Sequence, residues 1–161
     1  MPEGLTKDMK EQDFRDLVRY AMANPFITNV EVYASPRDGE LLKSTPVVGV
    51  NGRIPLPDGD QTQLVVSATV IAPTDMTIRL LVGSKFQYIA NVNGPDKKNP
   101  VLSQAAGKGS GVSAQPDQSS VEVKLAKGEN KVSIVLKYEG KGEALYLRFH
   151  DPERKLRYVE K

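Results

Sequence analysis

Leu64-Val65-Val66-Ser67-Ala68-Thr69-Val70-Ile71-Ala72-Pro73-Thr74-Asp75-Met76-Thr77-Ile78-Arg79-Leu80-Leu81-Val82 is the stretch that decides the fold class. Leu64, Val66, Ala68 and Val70 alternate with their neighbours, and Met76, Ile78, Leu80 and Val82 repeat the alternation. A period of two places each set on one face of an extended strand, where it can meet a core. Ala72-Pro73-Thr74-Asp75 has the residues of a turn, so the two strands are predicted to be hairpin partners.

The same period recurs on both sides of this stretch. Val121, Val123 and Leu125 lead through Lys127-Gly128-Glu129-Asn130 into Val132, Ile134 and Leu136, a second predicted hairpin. Leu145, Leu147 and Phe149 form another inward stripe, and Leu156 and Tyr158 close the set. Upstream, residues 27–34 alternate with Val30 and Val32 on one side and Glu31 and Tyr33 on the other. Shorter candidates lie at 47–54 and 86–92. About eight or nine strands at this spacing predict an all-β antiparallel β-sandwich. Its predicted core holds Val66, Val70, Ile78, Leu80, Val123, Val132, Ile134, Leu136, Leu147 and Phe149.

One segment has a different period. Between residues 8 and 24, Phe14, Leu17, Val18, Ala21 and Met22 fall at i, i+3, i+4, i+7 and i+8, one face of an N-terminal α-helix. Asp8 and Glu11 offer a start resembling a capping box, and Glu11 can pair with Arg15 one turn on. Asn24-Pro25 ends the helix, because a residue before proline avoids the α region. The predicted organisation is therefore a helical segment, 1–25, and a sandwich domain, 26–161. Residues 35–45 and 94–119 read as polar connections, the second holding Gly107-Lys108-Gly109-Ser110-Gly111. That glycine run lacks the spacing of a phosphate loop and reads as a flexible connector.

A chain of 161 residues is long enough for one core without disulfides or a structural metal. It contains no cysteine, which excludes thiol chemistry and Cys-based metal sites. Its formal charge is +2, with acidic and basic residues interleaved, so there is no electrostatic footprint for nucleic acid. No apolar run approaches the roughly 20 residues of a membrane span, and no signal-peptide pattern is present in these residues.

Several segments carry a family character: Asn91-Val92-Asn93-Gly94, Ala114-Gln115-Pro116-Asp117-Gln118, Lys127-Gly128-Glu129-Asn130-Lys131-Val132, Leu145-Tyr146-Leu147-Arg148-Phe149 and the closing Asp151-Pro152-Glu153-Arg154-Lys155-Leu156-Arg157-Tyr158. Together they resemble the galactose-binding-like, jelly-roll β-sandwich modules of planctomycete-type multidomain haem-binding (c-type cytochrome) proteins. In such modules a ligand-facing or edge strand ends in Asn-Gly, and a Gly-x-Asn turn opens the next hairpin. Met1-Pro2-Glu3-Gly4-Leu5 and the helix with Phe14, Leu17, Val18 and Tyr20 are similar to the closing loop and last helix of a cytochrome c domain, with Lys10 where Ser or Thr would usually cap. The resemblance implies that residues 1–25 are a remnant of such a domain and that Met1 is a haem axial ligand only in a longer parent chain carrying haem c. It also implies an extracytoplasmic, periplasmic location. Without a C-x-x-C-H motif no cofactor is expected in this chain itself.

The candidate ligand-binding residues are Tyr88, Asn91, Asn93, Tyr146 and Arg148. Tyr33, Tyr88, Tyr138 and Tyr146 could supply a stacking platform for a sugar ring. Asp58 and Asp60, with Asn51 and Asp75, offer oxygen ligands for calcium, the alternative being a polar turn. His150, the lone histidine, alternates with Leu147 and Phe149 and should face outward. The function expected from these readings is a non-catalytic binding or interaction module whose partner is a glycan or a neighbouring protein domain. Two alternatives are a structural docking domain in an electron-transfer protein and a hydrolase using Asp58, Asp60 or Glu143.

Overall fold

The computed structural model describes residues 10–22, 26–35, 44–58, 62–94, 101–104, 113–138 and 143–159. The alternating stretches form two facing antiparallel sheets, the predicted sandwich. The larger has seven strands, in the order β2 (Thr45–Val48), β1 (Asn29–Ser35), β4 (Gln63–Ala72), β9 (Gly128–Lys137), β6 (Tyr88–Val92) and β7 (Leu102–Gln104), with β11 (Arg157–Tyr158) also on β4. The smaller has four, in the order β3 (Arg53–Pro55), β10 (Ala144–His150), β5 (Met76–Gly83) and β8 (Ser119–Leu125). All ten predicted core residues are buried between the sheets, with Leu80, Ile134, Leu136 and Leu147 wholly inaccessible.

Neither predicted hairpin exists. β4 pairs with β9 and β5 with β8, while β4 and β5 lie in opposite sheets, as do β8 and β9. The register explains the arrangement: Ala72 is opposite Gly128 and Met76 opposite Leu125, so β4–β5 and β8–β9 run side by side as one ribbon. That ribbon folds over itself at both connections, the jelly-roll device. Alternation states which side of a strand faces the core, and an arch satisfies that requirement as well as a hairpin does.

Asn130 holds the second arch. Its amide oxygen accepts from the Ala126 N–H (2.9 Å) and from the Asn93 side chain (2.7 Å). Its amide nitrogen donates to the Ala126 and Gly128 carbonyls at 2.8 and 2.9 Å. All four hydrogen-bonding positions of a buried side chain are thus filled. Gly128 takes a positive φ of 98° in this turn, where a side chain would be strained.

Two further expectations change. The 47–54 candidate divides into β2 and β3 around a tight turn in which Asn51 and Gly52 have φ of 52° and 77°. Part of the predicted 94–119 connection is structured: β7 pairs with β6, and residues 113–118 lie across the outer face of the small sheet at Gly83. A Cβ on Gly83 would sit 1.8 Å from the Gln115 carbonyl oxygen, so only glycine admits this crossing. Gln118 accepts from the Ser84 N–H (2.7 Å) and Asp117 binds Arg148, which fasten the strap. Residues 107–111 lie outside the described residues.

The helix is α1 (Glu11–Met22), inside the predicted span, and the Asn24-Pro25 pair lies outside the described residues. Its first turn is closed by the Phe14 N–H donating to the Lys10 carbonyl, and Arg15 pairs with Glu11 at 2.6 Å. Asp8 lies outside the described residues.

Candidate functional site

The outer face of the seven-stranded sheet departs from an ordinary solvated surface. Two rows of side chains cross it, set by strand register. Glu31, Ser67, Ser133 and Asn91 stand opposite one another on β1, β4, β9 and β6. The next row is Tyr33, Val65, Val135 and Ile89 on the same four strands. Neighbouring strands are about 4.8 Å apart, so each row is roughly 14 Å long. A polar row therefore runs beside an apolar row, a pairing suited to a ligand with hydroxyl edges and C–H faces.

Ser67 and Asn91 are only 6% and 4% exposed although they point away from the core, and Ser133 is half-buried. The side chains of Ser67, Ser133 and Asn91 have no hydrogen-bond partner among the described residues. Their polar atoms, unlike the buried hydroxyls of Tyr88 and Tyr158, keep contact with solvent, so they can exchange water for a ligand laid across the row. At its end the Tyr33 hydroxyl donates to the Glu31 carboxylate at 2.5 Å, which orients an aromatic ring on this face. Lys131, exposed on the outer face of β9 beside the polar row, has its backbone N–H held by the Asn93 side chain at 2.9 Å.

Three depressions open on this face. One of about 260 Å³ lies between Glu31, Pro46, Val48, Ser67, Thr69 and Lys131. A second, of about 220 Å³, shares Ser67 and Lys131 with it and adds Tyr33, Val65, Gly94 and Ser133. A third, of about 320 Å³, lies toward the other end, among Gln63, Gln87, Ile89, Val135 and Lys137. Each is near the lower limit of small-ligand sites, and the first two share walls.

The sequence-based candidates do not come together here. Asn91 is in the polar row, but Tyr88, three residues earlier, turns its ring into the core at 1% exposure and offers no stacking surface. Burial pushes its phenol up, with Ser119 opposing. Asn93 has a φ of 58° and spends its side chain on Asn130 and the Lys131 N–H, so it ties β6 to β9. Tyr146 and Arg148 are on β10, facing outward from the other sheet. Arg148 is committed to Asp117, Nε donating at 2.8 Å and Nη2 to the second oxygen; this hydrogen-bonded pairing holds the Asp117 carboxyl below its usual range. His150 is exposed at the end of the same strand, as expected.

The tyrosine platform likewise disperses. Tyr138 is buried, its ring 4.9 Å from that of Phe86 and its hydroxyl donating to the Pro57 carbonyl at 2.7 Å. Asp58 lies close enough, with Glu143, to help burial push the Tyr138 phenol up. Glu143 forms an ion pair with Lys85 at 3.0 Å. Asp75, in the β4–β5 arch, accepts from the Lys127 N–H of the β8–β9 arch, Asn51 shapes the β2–β3 turn, and Asp60 lies outside the described residues. Among the described residues no three acidic or histidine side chains converge as a metal site. Nor do this chain's residues fit a covalent haem, since it has no cysteine and its sole histidine is His150; Met1 lies outside the described residues.

Sequence reading missed Ser67, Ser133, Lys131, Val65 and Val135. A signal was present: the outward positions of β4 and β9 carry Val65, Ile71 and Val135, which a fully solvated face would not favour.

No family model matches the chain, and no curated protein matches it. Among solved structures, a family 35 carbohydrate-binding module from an environmental isolate is similar with a TM-score of 0.51 and 14% identity, over 87% of this chain and 95% of that one. A family 35 module from Clostridium thermocellum is similar at 14% identity with a TM-score of 0.42, over 76% of this chain and 92% of that one. At 14% identity, the likeness to the environmental module shows that this chain has the fold of a carbohydrate-binding-module-like β-sandwich.

Proposed function

We propose that the protein is a non-catalytic glycan-binding module whose ligand lies on the outer face of the seven-stranded sheet. The observation that carries the reading is the polar row of Ser67, Ser133 and Asn91, without side-chain partners among the described residues, beside the apolar row of Tyr33, Val65, Val135 and Ile89. Sugar hydroxyls would satisfy the first row while the C–H face of a ring covers the second. A row of roughly 14 Å suits a short oligosaccharide or part of a chain rather than one ring. The fold shared with a carbohydrate-binding module is consistent with this use, although a fold alone does not assign one. Glu143 is engaged by Lys85, and among the described residues no cluster of acid, base and nucleophile accompanies the face. An extracytoplasmic location beside a haem c domain belongs to the same proposal and rests on the resemblance of residues 1–25.

The test is a glycan array followed by affinity electrophoresis. Retardation by at least one polysaccharide is expected. Ser133→Trp, which fills the middle of the polar row, should abolish it at unchanged melting temperature, whereas His150→Ala on the opposite sheet should leave it intact. Retardation that survives Ser133→Trp and disappears with His150→Ala would place the ligand on the wrong sheet for this proposal.

A further inference from the structure

Five large apolar side chains are strongly exposed among the described residues: Phe14 (43%), Leu17 (49%) and Val18 (38%) on α1, and Val48 (65%) and Val50 (68%) around the end of β2. They form two patches. A helix of 12 residues is marginal in water by itself, and most helical stability in proteins comes from burying an apolar face. Among the described residues that face is exposed, and the side-chain pairs found on the helix are Glu11–Arg15 and Gln12–Asp16, each worth about 0.2–0.5 kcal/mol.

The chain itself joins the two patches. Met22 ends α1, and four residues later Phe26 rests against Gly52, within 3.3 Å of where its Cβ would be. Gly52 belongs to the turn that follows Val50. Next, Ile27 is buried, the Thr28 carbonyl accepts from the Gly49 N–H at 2.6 Å, and Asn29 stands opposite Val48 in the sheet. The tether is thus anchored in the same short segment that presents Val48 and Val50. Four residues reach at most about 14 Å, and Leu17 and Val18 lie roughly 6–8 Å back along the helix. Both patches are within reach of each other at the high local concentration a short tether imposes.

We infer that α1 is an intramolecular lid whose Phe14, Leu17 and Val18 face docks on Val48 and Val50 of its own sandwich. Docked there it covers the Pro46 and Val48 wall of the 260 Å³ depression and closes one end of the trough. The inference does not require the trough to hold a glycan, so either can fail without the other.

The absence of cysteine and tryptophan makes the test clean. In the full chain, Leu17→Cys with Val48→Cys should form a disulfide within the monomer under mild oxidation, roughly tenfold faster than Leu17→Cys with Lys124→Cys on the opposite sheet. Adding Val50→Asp should slow it. The substituted positions are exposed, so folding should be retained; a single Phe14→Trp reporter should then show a buried-type emission that shifts red with Val48→Asp. Disulfide-linked dimers would assign the helix face to a second copy of the chain. Equal rates for both cysteine pairs, with solvent-exposed Trp emission, would assign it to another partner; either result overturns the lid.

Discussion

Replacing Asn130 by alanine removes four hydrogen bonds from the β8–β9 arch, and the size of the loss follows from where each partner is left. The Ala126 N–H and carbonyl belong to an exposed residue and can bind water again, and so can the exposed Asn93 side chain. The Gly128 carbonyl is half-buried, and the space left by a side chain 1% exposed is not easily hydrated. One poorly satisfied carbonyl, at about 1–3 kcal/mol, plus a fraction of the net worth of the other three bonds gives roughly 2–4 kcal/mol. For a chain of this length that lowers the melting temperature by roughly 5–15 °C. Asn130→Asp is the sharper companion variant. Its carboxylate can still accept from Ala126 and Asn93 but faces the Ala126 and Gly128 carbonyls with an acceptor in place of a donor. At neutral pH it should be at least as unstable as the alanine variant, and it should regain stability in acid, where the protonated acid restores one donor. Calorimetry of both variants at pH 4 and 7 reads the effect. A shift under about 1 °C for Asn130→Ala, far below the range expected for a buried network, would refute the role given to this side chain.

Further outcomes follow from the packing. Gly83→Ala should destabilise by about 1–3 kcal/mol through overlap with the Gln115 carbonyl, and amide exchange at Ser84 should accelerate as its bond to Gln118 is lost. Ile134→Ala, at the centre of the core, should cost about 2–5 kcal/mol in chemical denaturation. Asp117 is lowered by its bond to Arg148, so its stabilisation is present above the unfolded aspartate value of about 3.9 and is lost as pH falls through the lower folded value. Because the pair is partly exposed, Asp117→Asn should cost under about 1 kcal/mol at pH 7 and nothing near pH 2; a difference that grows in acid would reverse the assigned sign.

Much of the fold was legible because burial leaves a period. Val66, Ile134 and Leu147 were assigned to the core from alternation alone, and α1 from its 3.6-residue period and the Asn24-Pro25 stop. Pairing was not legible. Ala72-Pro73-Thr74-Asp75 serves equally as a hairpin turn or as an arch, and what selects the arch is the register of β4 with β9 and of β5 with β8, strands far apart in the sequence. The site was less legible still. Of the residues named from sequence, Asn91 stands in the proposed polar row, whereas Tyr88 faces the core, one parity away from the sheet's outer surface, and Tyr146 and Arg148 belong to the other sheet. Ser67 and Ser133 are small polar residues without a motif, and they become a row only when β1, β4, β9 and β6 stand side by side.

The central claim, that the outer face of the seven-stranded sheet is the ligand face, is tested most directly by an amide chemical-shift titration with the polysaccharide selected on the array. Saturable shifts should cluster at Ser67, Lys131, Ser133, Val135 and Asn91. Saturable shifts confined to β10 and the 113–118 strap, with the polar row silent, would contradict it.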